Sequence, residues 1–280
     1  MIVRLILAVA CLSVISPARA ESYRWDFHNG HFDNLSLVPA GPGAVNLLQP
    51  TRAGLRISVP AGHDVKTVGF SPRFRIHGDF EIAIEFTILN RTKPKAGYGT
   101  GPSLYLSMGS TSDPAASLGR QLRPDGRDVY GAFAARVEEG KRIPTARLFD
   151  APRAATSITG RLQLRRTGAE VTYSAADNNY SPPQPLVTLP VSDADVTMVR
   201  IGLNQSDPQS AAVIVLHNLR IEAEALPQLP TEQSRTAQLY RPRYQSPPPP
   251  RSSRWLWQSL TALLLTTLLS LWLWHRRRSS

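Results

Sequence analysis

The sequence predicts an all-β body followed by one membrane-spanning helix, and three observations carry this. Between residues 21 and 227 apolar and polar residues repeatedly alternate, the period of two that puts successive strand side chains on opposite faces. Nowhere does that body show the 3.6-residue apolar stripe of an amphipathic helix. Residues 255–274, WLWQSLTALLLTTLLSLWLW, carry no charge, and at about 1.5 Å per residue they extend roughly 30 Å, the thickness of a bilayer's hydrocarbon core.

Residues 1–20 read as a signal peptide. Arg4 makes a short basic start, residues 5–15 an apolar run, and Ala18-Arg19-Ala20 a small-x-small cleavage site. The only cysteine, Cys11, falls inside this leader, so an exported chain is expected to hold no disulfide. Acylation of Cys11 is the alternative; the short apolar run before it and the better Ala-Arg-Ala site argue against that.

The body, residues 21–227, is long enough for one core. Tyr23, Trp25 and Phe27 alternate with polar neighbours, as do Leu55, Ile57 and Val59. The strongest run is 80–88, where Phe80, Ile82, Ile84, Phe86 and Ile88 point one way and Glu81, Ala83, Glu85 and Thr87 the other. Further strands are expected over 103–108, 129–137, 146–149, 161–165, 171–175, 196–203 and 212–222, separated by Gly, Pro, Asn and Asp clusters. Alternation stops at Thr167-Gly168 and resumes, the mark of a hairpin whose glycine takes a positive φ. Many short antiparallel strands joined by turns describe a sandwich or a barrel.

Residues 228–254 change to proline, serine, glutamine and arginine and end in a tetraproline, which favours extended polyproline II. They read as a tether. Tryptophans at both ends of 255–274 suit the two bilayer interfaces, and the basic tail 275–280, with Arg276, Arg277 and Arg278, holds a cytoplasmic end in place. The expected localisation is a cell membrane crossed once, body outside, C-terminus in the cytoplasm, with the lipid bilayer as a partner. A sorting signal that is cut is the alternative, but no acidic residue lies between the prolines of 246–251.

The formal charge of +11 over 280 residues would ordinarily point to nucleic acid. Its distribution argues otherwise: residues 21–227 hold 22 Lys or Arg against 20 Asp or Glu, about +2, and the excess lies in the leader, tether and tail. Nucleic-acid binding is therefore not expected.

The order Gly78-Asp79-Phe80-Glu81-Ile82, Gly97-Tyr98-Gly99, Leu104-Tyr105-Leu106, then the hairpin from Gly160 to Gly168, and last Val199-Arg200-Ile201-Gly202-Leu203 before Leu216-His217-Asn218-Leu219-Arg220-Ile221 resembles the concanavalin A-like, laminin-G-like superfamily. Within it the sequence is most similar to a family of secreted bacterial domains of unknown function. The resemblance covers most of 21–227 and implies a two-sheet jelly roll, with carbohydrate-binding modules, lectins and glucanases among its relatives. Fold does not choose among these.

Glucanases of that superfamily work with acidic residues alternating along one strand, which singles out Glu81 and Glu85. Here the middle position is Ala83, and positions four apart on a strand are about 13 Å from each other, beyond the roughly 5 to 5.5 Å of a retaining pair. The enzyme reading weakens at its strongest point. Scattered histidines and the absence of a nucleophile elbow give no catalytic metal, cofactor or triad. His217, in phase with Val213, Val215, Leu219 and Ile221, reads as a core or near-core histidine, and Asp177-Asn178-Asn179 as a turn rather than a calcium loop.

Tyrosine faces stack on sugar C–H surfaces while guanidinium and carboxylate groups take polar edges. A polysaccharide-binding face is accordingly expected from Tyr105, Tyr130, Arg136, Glu81 and Glu85, the plainer alternative being ordinary amphipathic rim residues. The sequence thus describes a membrane-anchored carbohydrate or cell-surface binding module, with an envelope glycan as partner. A glycoside hydrolase and a structural adhesion domain are the alternatives.

Overall fold

The computed structural model describes residues 21–64, 66–109, 114–151 and 158–229. The leader 1–20, nearly all of the tether, the span 255–274 and the tail lie outside them. Among the described residues no helix is long and apolar enough to cross a membrane.

The described chain forms β1 (Glu21–Asp26), β2 (Leu37–Ala40), α1 (Ala44–Leu47), β3 (Leu48–Thr51), β4 (Gly54–Val59), β5 (Thr67–Pro72), β6 (His77–Arg91), β7 (Thr100–Met108), β8 (Ala115–Leu122), β9 (Asp128–Glu138), β10 (Lys141–Asp150), β11 (Ile158–Thr167), β12 (Glu170–Ala176), β13 (Gln184–Pro190), β14 (Val196–Gln205) and β15 (Ala212–Ala225). They make two antiparallel sheets. The first runs β13-β12-β11-β6-β15-β4-β3 with β1 also on β15, the second β10-β9-β8-β7-β14-β5-β2. Of the sandwich and the barrel that the alternation allows, the observed fold is the sandwich, as the family resemblance implies.

The core lies between the sheets. On β6 Phe80, Ile82, Ile84, Phe86 and Ile88 are all buried, and full burial of one such side chain contributes about 1.5 to 3 kcal/mol. Facing them from the second sheet are Leu104, Leu106, Leu118, Val199, Ile201 and Leu203. The hairpin forms where its glycine predicted: β11 ends at Thr167, Gly168 takes φ +59°, and β12 starts at Glu170. Leu226 and Leu229 still pack on the core, so the β-domain reaches at least Leu229.

β15 departs from simple alternation. A register shift between Leu216 and Leu219 leaves both leucines buried and turns His217 and Asn218 together to the outside of the first sheet. Such a bulge re-aims a strand's side chains, so the inward set is Ile214, Leu216, Leu219 and Ile221, and His217 does not share their phase. The half-buried His217 ring pairs with Thr87 Oγ1 at 2.7 Å through Nε2 and with the Ala53 carbonyl at 3.0 Å through Nδ1, and it stacks on His28 at 5.0 Å.

Burial, reinforced by His28, holds His217 below the ordinary histidine pKa, against the opposing hydrogen bond to Ala53. The folded protein then binds fewer protons here than the unfolded chain. This contribution to stability is full above about pH 6.5 and is lost as pH falls through the lower folded pKa. The melting temperature should drop between pH 7.5 and pH 5, and His217→Gln should flatten that drop; an unchanged pH dependence in the variant would assign the drop elsewhere.

Two arginines are buried in the sandwich. Arg166, 2% exposed, donates to the carbonyls of Gly78 and Ala194 and lies over the Phe80 ring, with burial lowering its pKa. Arg120, 1% exposed, sits on the inward side of β8.

Candidate functional site

The outer face of the second sheet carries a cleft of about 770 Å³. Pairing registers show how the sequence makes it. One row across the strands reads Gly69, Gly202, Ser103, Gly119, Gly131 and Leu148, from β5 through β14, β7, β8 and β9 to β10. Of this row Gly131 and Leu148 line the cleft, while Gly69, Gly202, Ser103 and Gly119 are buried and do not. The glycines also let strands close up: a Cβ on Gly202 would stand 2.1 Å from the Val68 carbonyl oxygen and 2.6 Å from the Gly69 Cα.

The next row supplies the side wall. Arg200, Tyr105, Ser117, Phe133 and Ala146 follow one another across β14, β7, β8, β9 and β10. Tyr98 and Arg123 close the opposite end from the loops beside β7 and β8, together with Thr67, Gln121 and Asn204. Tyr98 and Leu148 are 45% and 44% exposed, large apolar surfaces standing at the margins. Arg123 Nη1 donates to the Tyr98 carbonyl at 3.2 Å, tying the two together. Among the described residues lining the cleft there is no Asp or Glu.

Strands β8 and β9, the centre of the cleft, are bolted to the opposite sheet from beneath. The Tyr173 hydroxyl of β12 donates to the Phe133 carbonyl at 2.8 Å. The Tyr130 hydroxyl donates to Asp177 Oδ1 at 2.7 Å, and Arg120 donates to the same oxygen at 3.1 Å and to Asp128 Oδ2 at 3.2 Å. Burial pushes both tyrosine pKa values far above the ordinary phenol, keeping both hydroxyls protonated as donors. Phe133 thus stands on a fixed backbone.

The five residues expected to share a binding face are not brought together. Tyr105 lines the cleft. Tyr130 is buried on the inward face of β9 at 3% exposure and is part of the bolt below. Arg136 lies near the end of β9 and pairs with Glu138. Glu81 and Glu85 lie on the outer face of the other sheet, in a smaller hollow of about 330 Å³ floored by Ala83. There Arg161 and Asn218 donate to the two Glu85 oxygens at 2.5 and 2.7 Å, so this carboxylate is engaged.

The alternation in 80–88 identifies β6 and sets Glu81 and Glu85 on the outer face of the first sheet, whereas the larger cleft lies on the outer face of the second. Tyr98, Phe133, Arg123 and Arg200 also line the cleft without a sequence signal for a site, though Gly97-Tyr98-Gly99 and Val199-Arg200-Ile201-Gly202 fall among the patterns that carry the family resemblance. Asp177-Asn178-Asn179 is a turn, with Asn178 Oδ1 accepting from the amides of Tyr180 and Ser181 at 2.9 and 2.6 Å. Among the described residues no group of His, Cys, Asp and Glu is arranged to hold a metal.

Solved structures of the same architecture place the fold. The chain is similar to the β-glucanase of Bacillus licheniformis, with 10% identity and a TM-score of 0.47 over 71% of this chain and 97% of that one. It is similar to the carbohydrate-binding module CBM66 of Bacillus subtilis, with 15% identity and a TM-score of 0.41 over 67% and 96%. Against the GH43 protein BlXynB of Bacillus licheniformis the identity is 10% and the TM-score 0.50, over 71% of this chain and 39% of that one. The feature shared with the last of these is the fold, a two-sheet antiparallel β-sandwich. No curated protein matches the sequence. Residues 8–248 match the model of one family, and the chain belongs to it: "Protein of unknown function (DUF1583) C domain".

Proposed function

We propose that this chain is a membrane-anchored, exported glycan-binding domain whose ligand lies in the cleft on the outer face of the second sheet. The observation that carries the reading is the build of the cleft: Gly131 at its base, aromatic walls from Tyr98, Tyr105 and Phe133, and side-chain donors from Arg200, Gln121 and Asn204. Flat rings beside an open cleft suit the C–H faces of sugars, and a few placed polar groups suit their hydroxyls. The relatives' printed names, a β-glucanase and a carbohydrate-binding module, agree with a saccharide ligand. Binding is favoured over hydrolysis because two carboxylates are required for the latter, and the described lining offers none. Export and anchoring rest on residues 1–20 and 255–274.

Tyr105→Ala removes one wall while leaving the strand in place, and retention on envelope polysaccharide in affinity electrophoresis should weaken about tenfold, the equivalent of a lost stacking surface. Undiminished retention with an unchanged melting temperature would remove the cleft as the site. Sugar release without added enzyme would favour the hydrolase.

A further inference from the structure

We propose that the cleft selects polyanionic glycans, chains bearing repeated carboxylate or sulfate groups, through Arg200 and Arg123; this rests on the cleft being the glycan site. Arg200 stands beside Tyr105 in the wall, and the one contact its guanidinium makes in the described structure is from Nη2 to the Met198 thioether at 3.8 Å. Its Nε is buried without a hydrogen-bond partner. Arg123 gives Nη1 to a backbone carbonyl, and its buried Nε has no hydrogen bond but forms a long ion pair with Asp125 at 4.0 Å, a residue outside the lining.

Buried donors in native structures are nearly always satisfied. A guanidinium facing a half-enclosed surface without a counter-charge is matched by the paired oxygens of a carboxylate or sulfate. Arg200 meets this description, and with Arg123, whose one ion pair is long, it makes the cleft's charge positive and draws anions in. Their positions add a constraint. Arg200 is level with Tyr105, whereas Arg123 follows Leu122, which is level with Thr100. Five residues of strand separate those levels, roughly 17 Å. A chain with repeating charge can meet both at that spacing.

The test uses the full chain in detergent with probes matched in backbone and different in charge: polygalacturonate against its methyl ester, and dextran sulfate against dextran. Polygalacturonate or dextran sulfate should bind at least tenfold more tightly than its neutral counterpart, and which of them does identifies the acid group. Arg200→Gln and Arg123→Gln should each weaken that binding about tenfold. Arg165→Gln, an exposed charge on the outer face of the other sheet, should leave it unchanged. Equal binding of charged and neutral probes, abolished by Tyr105→Ala, would overturn the charge selection and keep the glycan site. An equal loss in all three arginine variants would assign the binding to the basic segments and overturn the proposal, and indifference of every probe to Tyr105→Ala would remove both readings.

Discussion

Replacing Arg120 by methionine should lower the melting temperature by about 6 to 20 °C, the shift that 3 to 5 kcal/mol produces in a domain of this size. The guanidinium is almost completely buried and joins Asp128 on its own sheet to Asp177 beyond the end of β12. Methionine matches much of its volume but leaves the Asp128 carboxylate, whose side chain is 8% exposed, with Arg91 alone. A buried charge deprived of a partner costs more than the pair contributes, which is why the loss should exceed that of any surface ion pair. Asp125 with Arg127 supplies that comparison: both are about half exposed, and Arg127→Met should move the melting temperature little. Arg120→Lys should fall between, since an ammonium lacks the planar fork that reaches both carboxylates. If Arg120→Met melted like Arg127→Met, the bolt beneath β8 and β9 would be no support for the cleft.

The same arginine explains why part of the fold was illegible. Strands with uninterrupted apolar alternation, such as β6 and β4, were evident from the sequence because every inward position is Phe, Ile, Leu or Val. β8 was not, because its inward set is Ala116, Leu118 and Arg120 and its outward set includes Gly119; the buried charge breaks the pattern from one side and the glycine from the other. β5 was hidden by Gly69 and Pro72, which read as a turn. One of the features that erased β8 from the hydropathy pattern also supports the cleft: the polar clamp at Arg120, inside the sandwich. The cleft's aromatic wall was missed for a related reason. Phe133 alternates with alanines, and nothing along β9 alone says that its outward face meets Tyr105 across β8. The in-phase acids of β6 drew attention to the opposite face, where Arg161 and Asn218 engage Glu85.

Building up the floor should close the cleft without harming the fold, in a series graded by size at Gly131. The nearest atoms to a Cβ there are the Gln121 side-chain oxygen at 3.3 Å, the Leu148 Cδ2 at 3.6 Å and the Gln121 Cδ at 3.8 Å, all in side chains able to give way. Its backbone needs no positive φ, and a β-branched or aromatic side chain suits a strand better than glycine does. Gly131→Ala should weaken glycan binding slightly, Gly131→Val by about tenfold, and Gly131→Phe should abolish it, since each added group occupies the level where a sugar ring would rest, and a tenfold loss is only about 1.4 kcal/mol of steric exclusion. Melting temperatures should stay within a few degrees of the parent or rise. Gly202→Ala is the contrasting variant: its Cβ collides with backbone atoms of β5, which cannot move without parting the strands, so stability falls together with binding. Binding that declines with side-chain volume at position 131 while stability holds would identify the floor as the ligand's resting surface. Binding indifferent to Gly131→Phe would mean that the glycan, if bound at all, lies elsewhere.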